Sequence, residues 1–476
     1  MLAPESSLPP DLLVKALLRL LLLALLCSGA LAAEPRVALV LGGGGARGAA
    51  HIGVLEVLER EHIRIDCVAG TSMGALVAGA YAAGMRPAQM REALLSADWL
   101  DMFLDNSAYS ELDYRRHQLD RLYFPGAELG VGPGGTLLGK PGMIAGQNMK
   151  LFFNRLLGAD LGEPQIERLH LPLAIVATDI GSGERVVFRD GSLPLAMRAS
   201  MSVPGLLDPL DYRGRKLVDG GLVDNLPVME ARALCNADTV IAVEVGTPLL
   251  PSEQVNSLFG ITAQMIGILT KQNVQQSLAQ LRPQQDILIR PDLEGFSAAD
   301  FARNTEIADR GRAAAEAMQA ALQTVAVPVG TYARWRQEFS PLQQAMLPID
   351  AVEVAELRRV NPEVVSRHLR IRVGDEPDAA RIEADVQRIF SDGYYQSVDY
   401  SVVNTRDKRV LRITPIEKPW GPDYARFGLR LDSVIGKQSS FSLRGALHQT
   451  WLNSLGGEML YEGEIGQTSS AAVSWY

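Results

Sequence analysis

Apolar residues follow three different patterns along this chain. From Arg36 to about Val327, short unbroken apolar runs alternate with longer stretches of helical periodicity. The runs at 36–41, 66–69, 173–178, 239–245 and 286–289 are continuous, which suits parallel strands buried on both faces. Helices are predicted between and after them over 49–61, 73–83, 87–95, 257–281 and 307–324. Strands and helices taking turns define an α/β layer architecture. A smaller zone follows, from about 349 to 417, with a strand at 351–357 and a helix opened by Asn361-Pro362, where proline suits the first turn. A second helix over 379–390 and paired strands at 397–403 and 409–416 complete it. After Trp420 the period becomes two, at 427–431, 441–447 and 458–465, so these strands have two unlike faces.

Composition narrows the class. At 476 residues, 47% hydrophobic and 21% charged, the chain folds and has room for more than one domain. A net charge of -9 leaves no basic surplus to neutralise phosphates, so no nucleic-acid partner is expected. The three cysteines, Cys27, Cys67 and Cys235, are too few and scattered for a disulfide framework or a zinc site; Cys67 and Cys235 read as small buried hydrophobes. Lys15 and Arg19 precede an apolar run over 20–26, and small residues follow up to Ala33. That is a secretory signal peptide, too short to span a bilayer and cleaved near Ala32 or Ala33. Leu26 argues against a lipid anchor on Cys27.

Candidate chemistry starts just after the first predicted strand. Gly43, Gly45 and Gly48 fit G-x-G-x-x-G, a loop whose bare amides approach an anion at a helix N-terminus. The anion is either a pyrophosphate or a reaction oxyanion. A dinucleotide site wants an acid at the end of the next strand, whereas Asp66 begins it. Arg47 either attracts an anionic headgroup or pins the loop. The next strand leads into Gly70-Thr-Ser72-Met-Gly74, a G-x-S-x-G elbow that exposes a serine at a sharp strand-to-helix turn. A buried helix cap is the plainer use of such a serine. None of the six histidines stands where a catalytic base is expected, and His51 reads as helix packing. Asp219, in the turn Asp219-Gly220-Gly221, can act as base directly if burial lifts its pKa. No cluster of metal ligands is visible, and the chemistry calls for neither metal nor cofactor.

Together these blocks resemble the bacterial patatin-like phospholipases, which share a catalytic domain with the neuropathy-target-esterase group. The resemblance implies a three-layer αβα hydrolase with Ser72 as nucleophile and Asp219 as general base. It implies an oxyanion hole from Gly43, Gly44 and Gly45, with Arg47, Gly48, Gly70, Gly74, Gly220 and Gly221 completing the motifs; 199–205 also resembles a family segment. The implied reaction is phospholipase A-type or lysophospholipase hydrolysis of a phospholipid or other lipid ester at a membrane surface. The later zones resemble a polypeptide-transport-associated (POTRA) domain of α+β fold and the start of an antiparallel outer-membrane β-barrel, as in type V autotransporters. The expected division is a signal peptide at 1–33, a hydrolase domain at 34–330 with its core at 36–230, a linker at 331–348, a POTRA domain at 349–418 and barrel strands at 419–476. Those residues are too few for such a barrel, so the chain reads as truncated and the barrel incomplete. The implied location is the outer membrane, with the hydrolase at the cell surface or secreted; oligomeric state is left open. The competing readings are an inactive lipid-binding or transport and assembly module, and a dinucleotide-binding protein. The apolar stretch 249–269 suits an acyl-binding or interface surface as well as ordinary helix core.

Overall fold

A computed structural model describes residues 34–105, 112, 114–124, 127–163, 165–339, 347–376, 378–405, 408–432, 440–467 and 469–476. The expected signal peptide at 1–33 and part of the expected linker lie outside the described residues. The first strands are β1 (Val37–Leu41), β2 (Cys67–Thr71), β3 (Leu129–Val131), β4 (Leu137–Leu138), β5 (Leu173–Asp179) and β6 (Arg185–Phe188). Next come β7 (Leu210–Tyr212), β8 (Arg215–Asp219), β9 (Thr239–Val243), β10 (Ile287–Ile289) and β11 (Ala351–Val354). The last are β12 (Tyr395–Asn404), β13 (Arg409–Glu417), β14 (Asp423–Asp432), β15 (Ser440–Gln449), β16 (Met459–Gly466) and β17 (Ser470–Trp475).

The main sheet runs β10-β9-β1-β2-β5-β8-β7, with β6 paired to β5. All five expected strands are present, and β10, β9, β1, β2 and β5 are parallel. Alternation along β1 separates two cores. Val37, Leu39 and Leu41 join one with the helices Ala50–Arg60 and Met73–Ala82. Ala38 and Val40 join the other with the helices Val228–Cys235 and Leu258–Leu278. Helices therefore cover both faces, as a buried parallel sheet requires. The antiparallel strands β6, β7 and β8 escape the sequence pattern because they are short, and β8 opens with exposed Arg215 and Lys216.

Two expectations are corrected. Cys67 and Cys235 form a disulfide across a sequence separation of 168 residues, joining the start of β2 to the end of the helix packed over it. Their scatter along the chain concealed that the sheet and its covering helix bring them together. The expected linker at 331–348 is partly core: the helix Val329–Glu338 spaces Tyr332 and Phe339 so that both are buried, and Phe339 packs edge-on against Trp335 at 4.6 Å.

Beyond it, β11, β13 and β12 form a three-stranded sheet in that order, backed by the helices Pro362–His368 and Ala379–Ser391. Strand, two helices and two strands occur in the expected sequence. Strands β14 to β17 make an antiparallel meander, but the sheet is six-stranded: β3, from inside the first α/β unit, pairs with the edge of β14 and carries β4 beside it. Among the described residues it is an open sheet, ending at β17 and β4, and not a closed barrel. Gly130 is required in this pairing, because a Cβ there would lie 1.9 Å from the Trp420 carbonyl oxygen.

These units are locked together by buried charge. Lys150 bonds Asp160 at 2.9 Å and Asp399 of β12 at 2.8 Å. Glu128 pairs with Lys418 and, at 3.0 Å, with Arg426. Leu151 completes the hydrophobic core of the three-stranded unit.

Candidate active site

β2 drives straight into the Met73–Ala82 helix, leaving Ser72 at the junction with φ 54 and ψ -125, a backbone region that L residues rarely occupy. The turn is this tight because Gly70 and Gly74 let backbone pass within contact: a Cβ on Gly74 would lie 2.1 Å from the Leu41 carbonyl oxygen. Strain of this kind persists only when neighbours hold it. Here the Ser72 amide donates to Ser200 Oγ at 2.8 Å, and that hydroxyl donates to the Val176 carbonyl at 2.6 Å.

The Ser72 hydroxyl donates to Asp219 Oδ2 at 2.6 Å. Asp219 ends β8, and its other oxygen accepts the Gly221 amide at 2.7 Å. Its own amide donates to the Ser202 carbonyl at 2.9 Å, and its carbonyl accepts the Thr178 hydroxyl at 2.8 Å. The carboxylate is thus fixed from both sides, with no cation against it among the described residues. Burial raises its pKa to about 6, a rise that the Ser72 and Gly221 hydrogen bonds only partly oppose. Gly220 follows beneath Val176, as the tight turn demands.

The glycine loop passes directly beside the serine: a Cβ on Gly43 would fall 2.9 Å from Ser72 Cβ. The Gly43 amide, however, donates to the Asn225 carbonyl at 3.2 Å, so it is not free to meet an oxyanion. This corrects the expected donor set. The amides of Gly44 and Gly45 have no backbone acceptor among the described residues. Gly48 lies under Met73, the residue after the nucleophile. Of the two roles open to Arg47, pinning is the one present. Its guanidinium donates to the carbonyls of Val245, Leu293 and Phe296 at 3.0, 2.8 and 2.9 Å. His51 also serves the loop, with Nε2 2.8 Å from the Gly42 carbonyl oxygen, and burial drops its pKa to about 4, so the ring is neutral. Asp66 sits at the opposite end of β2 from Ser72, accepting the Val37 amide at 2.8 Å.

Sequence reasoning missed the supports. Asn225 Nδ2 donates to the Gly43 carbonyl at 3.0 Å and its amide donates to Asn273 at 2.9 Å. Asn273 and Thr270 both donate to the Gly221 carbonyl, at 2.9 and 3.0 Å. The segment 199–205 carries the one advance signal, since it includes Ser200 and Ser202; a side chain that bonds backbone leaves no spacing rule for the others. A cavity of about 490 Å³ lies between the glycine loop and the long helix, lined by Arg47, Leu249, Lys271 and Leu293, and does not include Ser72 or Asp219.

A mixed α/β sheet, a strained serine at a strand-to-helix turn and a buried carboxylate on its hydroxyl define the serine-hydrolase class. Within that class, residues 39–232 match the family model for patatin-like phospholipase, a span that contains both Ser72 and Asp219. The chain carries a patatin-like phospholipase domain. An uncharacterised NTE family protein of Mycobacterium tuberculosis is 36% identical over 212 residues, 44% of this chain and 49% of that protein. Lysophospholipase NTE1 of Candida glabrata is 29% identical over 294 residues, 57% of this chain and 15% of that protein. The chain thus spans about half the length of the first relative and far less of the second. Among solved structures, VipD from Legionella pneumophila aligns with TM-score 0.28 and 15% identity, covering 60% of this chain and 67% of that one.

Proposed function

We propose that this protein hydrolyses the carboxylic esters of phospholipids or lysophospholipids, with Ser72 as nucleophile and Asp219 as general base. The observation that carries this reading is the 2.6 Å hydrogen bond from the serine hydroxyl to a carboxylate whose pKa burial raises to about 6. In the acylation step Asp219 takes the serine proton as Oγ bonds the ester carbon, and the carbonyl oxygen becomes an oxyanion beside the Gly44 and Gly45 amides. Asp219 then returns the proton to the departing alcohol as its C–O bond breaks. Water repeats the sequence on the acyl-serine: its proton goes to Asp219, its oxygen to the acyl carbon, and the serine leaves reprotonated. Losing an oxyanion donor in such sites costs on the order of 100 to 1,000-fold in rate. Lipid as the substrate is supported by the matched family and by the lysophospholipase named among the relatives. The test is the intact chain, its Ser72→Ala and its Asp219→Asn variants, treated with a fluorophosphonate probe and assayed on a fluorogenic phospholipid. Labelling and turnover present in the wild type and absent from both variants are expected. A folded wild type that neither labels nor turns over would leave lipid binding or transport as the function.

We also propose export and outer-membrane carriage. The charged, apolar and small-residue succession at 1–33 supports it, as do the strand, helix, helix, strand, strand order from β11 to β13 and the meander after it. One face of the meander shows Phe427, Leu429, Leu431, Phe441 and Leu443 to the outside. No described helix is long and apolar enough to cross a membrane. Expression in a Gram-negative host followed by membrane flotation decides the matter: recovery in the outer-membrane fraction is expected, and recovery with the cytosol sinks it.

A further inference from the structure

We propose that the outer face of the Leu258–Leu278 helix docks on a phospholipid membrane and holds the Asp219 turn, to which the helix is bonded, close to it. The proposal rests on the hydrolase reading for its substrate and on the packing of this helix for its place. A 21-residue helix is about 30 Å long, and its two halves are packed differently. In the second half Asn273, Val274 and Ser277 are buried, and Thr270 and Asn273 hold the Gly221 carbonyl two residues past Asp219. In the first half Leu258, Ile261, Met265, Ile268 and Leu269 point outward, with Leu258 83% and Met265 60% exposed. Their spacing keeps them on one stripe of the helix. The apolar stretch is therefore surface, anchored at one end beside the reactive carboxylate.

The other side of Asp219 has the same character. Its amide bonds Ser202, the chain continues to Leu207, and Leu207 bridges Ile144 next to Met143, which is 71% exposed. Exposed apolar side chains thus lie on the elements tied to the Asp219 turn from both sides. Charge selects the occupant. Between Glu253 and Asp286 the ionic side chains are Lys271 and Arg282, both cationic. An apolar stripe that carries no carboxylate of its own and ends at a lysine suits the boundary between headgroups and acyl chains, with Glu244 and Glu294 confined to the cavity behind Lys271.

The experiment is co-sedimentation of the intact protein with vesicles of phosphatidylcholine and phosphatidylglycerol, for wild type and an Ile261→Asp, Met265→Asp variant. Turnover of a soluble short-chain ester is measured alongside. The variant is expected to lose vesicle affinity by about tenfold or more while soluble-ester turnover stays within about twofold. A Ser72→Ala protein should bind vesicles as wild type does, so a wild type that binds but hydrolyses nothing would defeat the hydrolase reading and leave the docking surface standing. Wild-type protein that ignores vesicles, or a variant that binds them unchanged, overturns the proposal. So does a variant that turns a wild-type dimer into a monomer by sedimentation without altering vesicle binding. Should the double variant fail to fold, Met265→Trp fluorescence replaces it: a blue shift on adding vesicles supports docking, and an unmoved spectrum rejects it.

Discussion

Asp219 must be charged to accept a proton, yet it sits where charge is expensive. Burial moves its pKa from 3.8 to about 6. Between those values the folded state holds a proton that the unfolded state has released, so its contribution to stability is present at low pH and lost as pH rises through about 6. At neutral pH the ionised form costs about 3 kcal/mol, at about 1.4 kcal/mol per unit. Two results are expected. Wild-type kcat/KM on a soluble ester should fall about tenfold per unit as pH drops below about 6, and a flat acid limb would remove Asp219 as base. The Asp219→Asn protein should melt higher than wild type at neutral pH, the gain shrinking toward pH 4 and below. The pair was legible in the sequence because a glycine-flanked serine and a glycine-flanked acid are each constrained by a sharp turn. Thr178, Asn225 and Asn273 were not, since hydroxyls and amides that hold backbone groups act across distances the sequence does not order. Gly43 shows the opposite error: the motif marks it as a donor, and only the fold reveals that Asn225 has taken its amide.

The elements that sequence pattern foresaw are those buried on both sides. β1, β2, β5, β9 and β10 are unbroken apolar runs, so their environment is written in every residue. β8, which delivers Asp219, has two exposed cationic residues followed by three buried ones and resembles neither a buried nor an amphipathic strand. The Cys67–Cys235 bridge is invisible for another reason: nothing local relates a strand residue to a helix 168 positions away. Closing a loop of that length restricts the unfolded chain by about 5 kcal/mol in the chain-entropy description. Replacing both cysteines by serine should lower the unfolding free energy by a few kcal/mol in denaturant titrations, and reductant should do the same to the wild type. Unchanged midpoints in both would mean the bridge is not formed.

For the whole molecule, the decisive feature is the buried contact between units. Burial opposes the Lys150 charge, yet Asp160 and Asp399 hold its pKa above the ordinary lysine value. Lys150→Met would leave those carboxylates facing each other, a change worth about 3–5 kcal/mol when one partner of a buried pair is removed. Calorimetry should then show an earlier or split transition; an unmoved single transition would mean the units do not depend on this contact. The boundary near residue 330 that the sequence suggests cuts the Val329–Glu338 helix, because composition cannot reveal that its aromatic residues turn inward.

The loan of β3 and β4 to the last sheet has its own consequence. The polypeptide is sewn back through itself, so order along the chain is not order in space. A protease that cuts between the hydrolase and the later strands would open the thread without undoing the stitch. To leave, the severed α/β unit would have to peel β3, with β4 beside it, from β14 and uncover Leu151. The two units are fastened twice, once by covalent bonds and once by a hem of backbone hydrogen bonds.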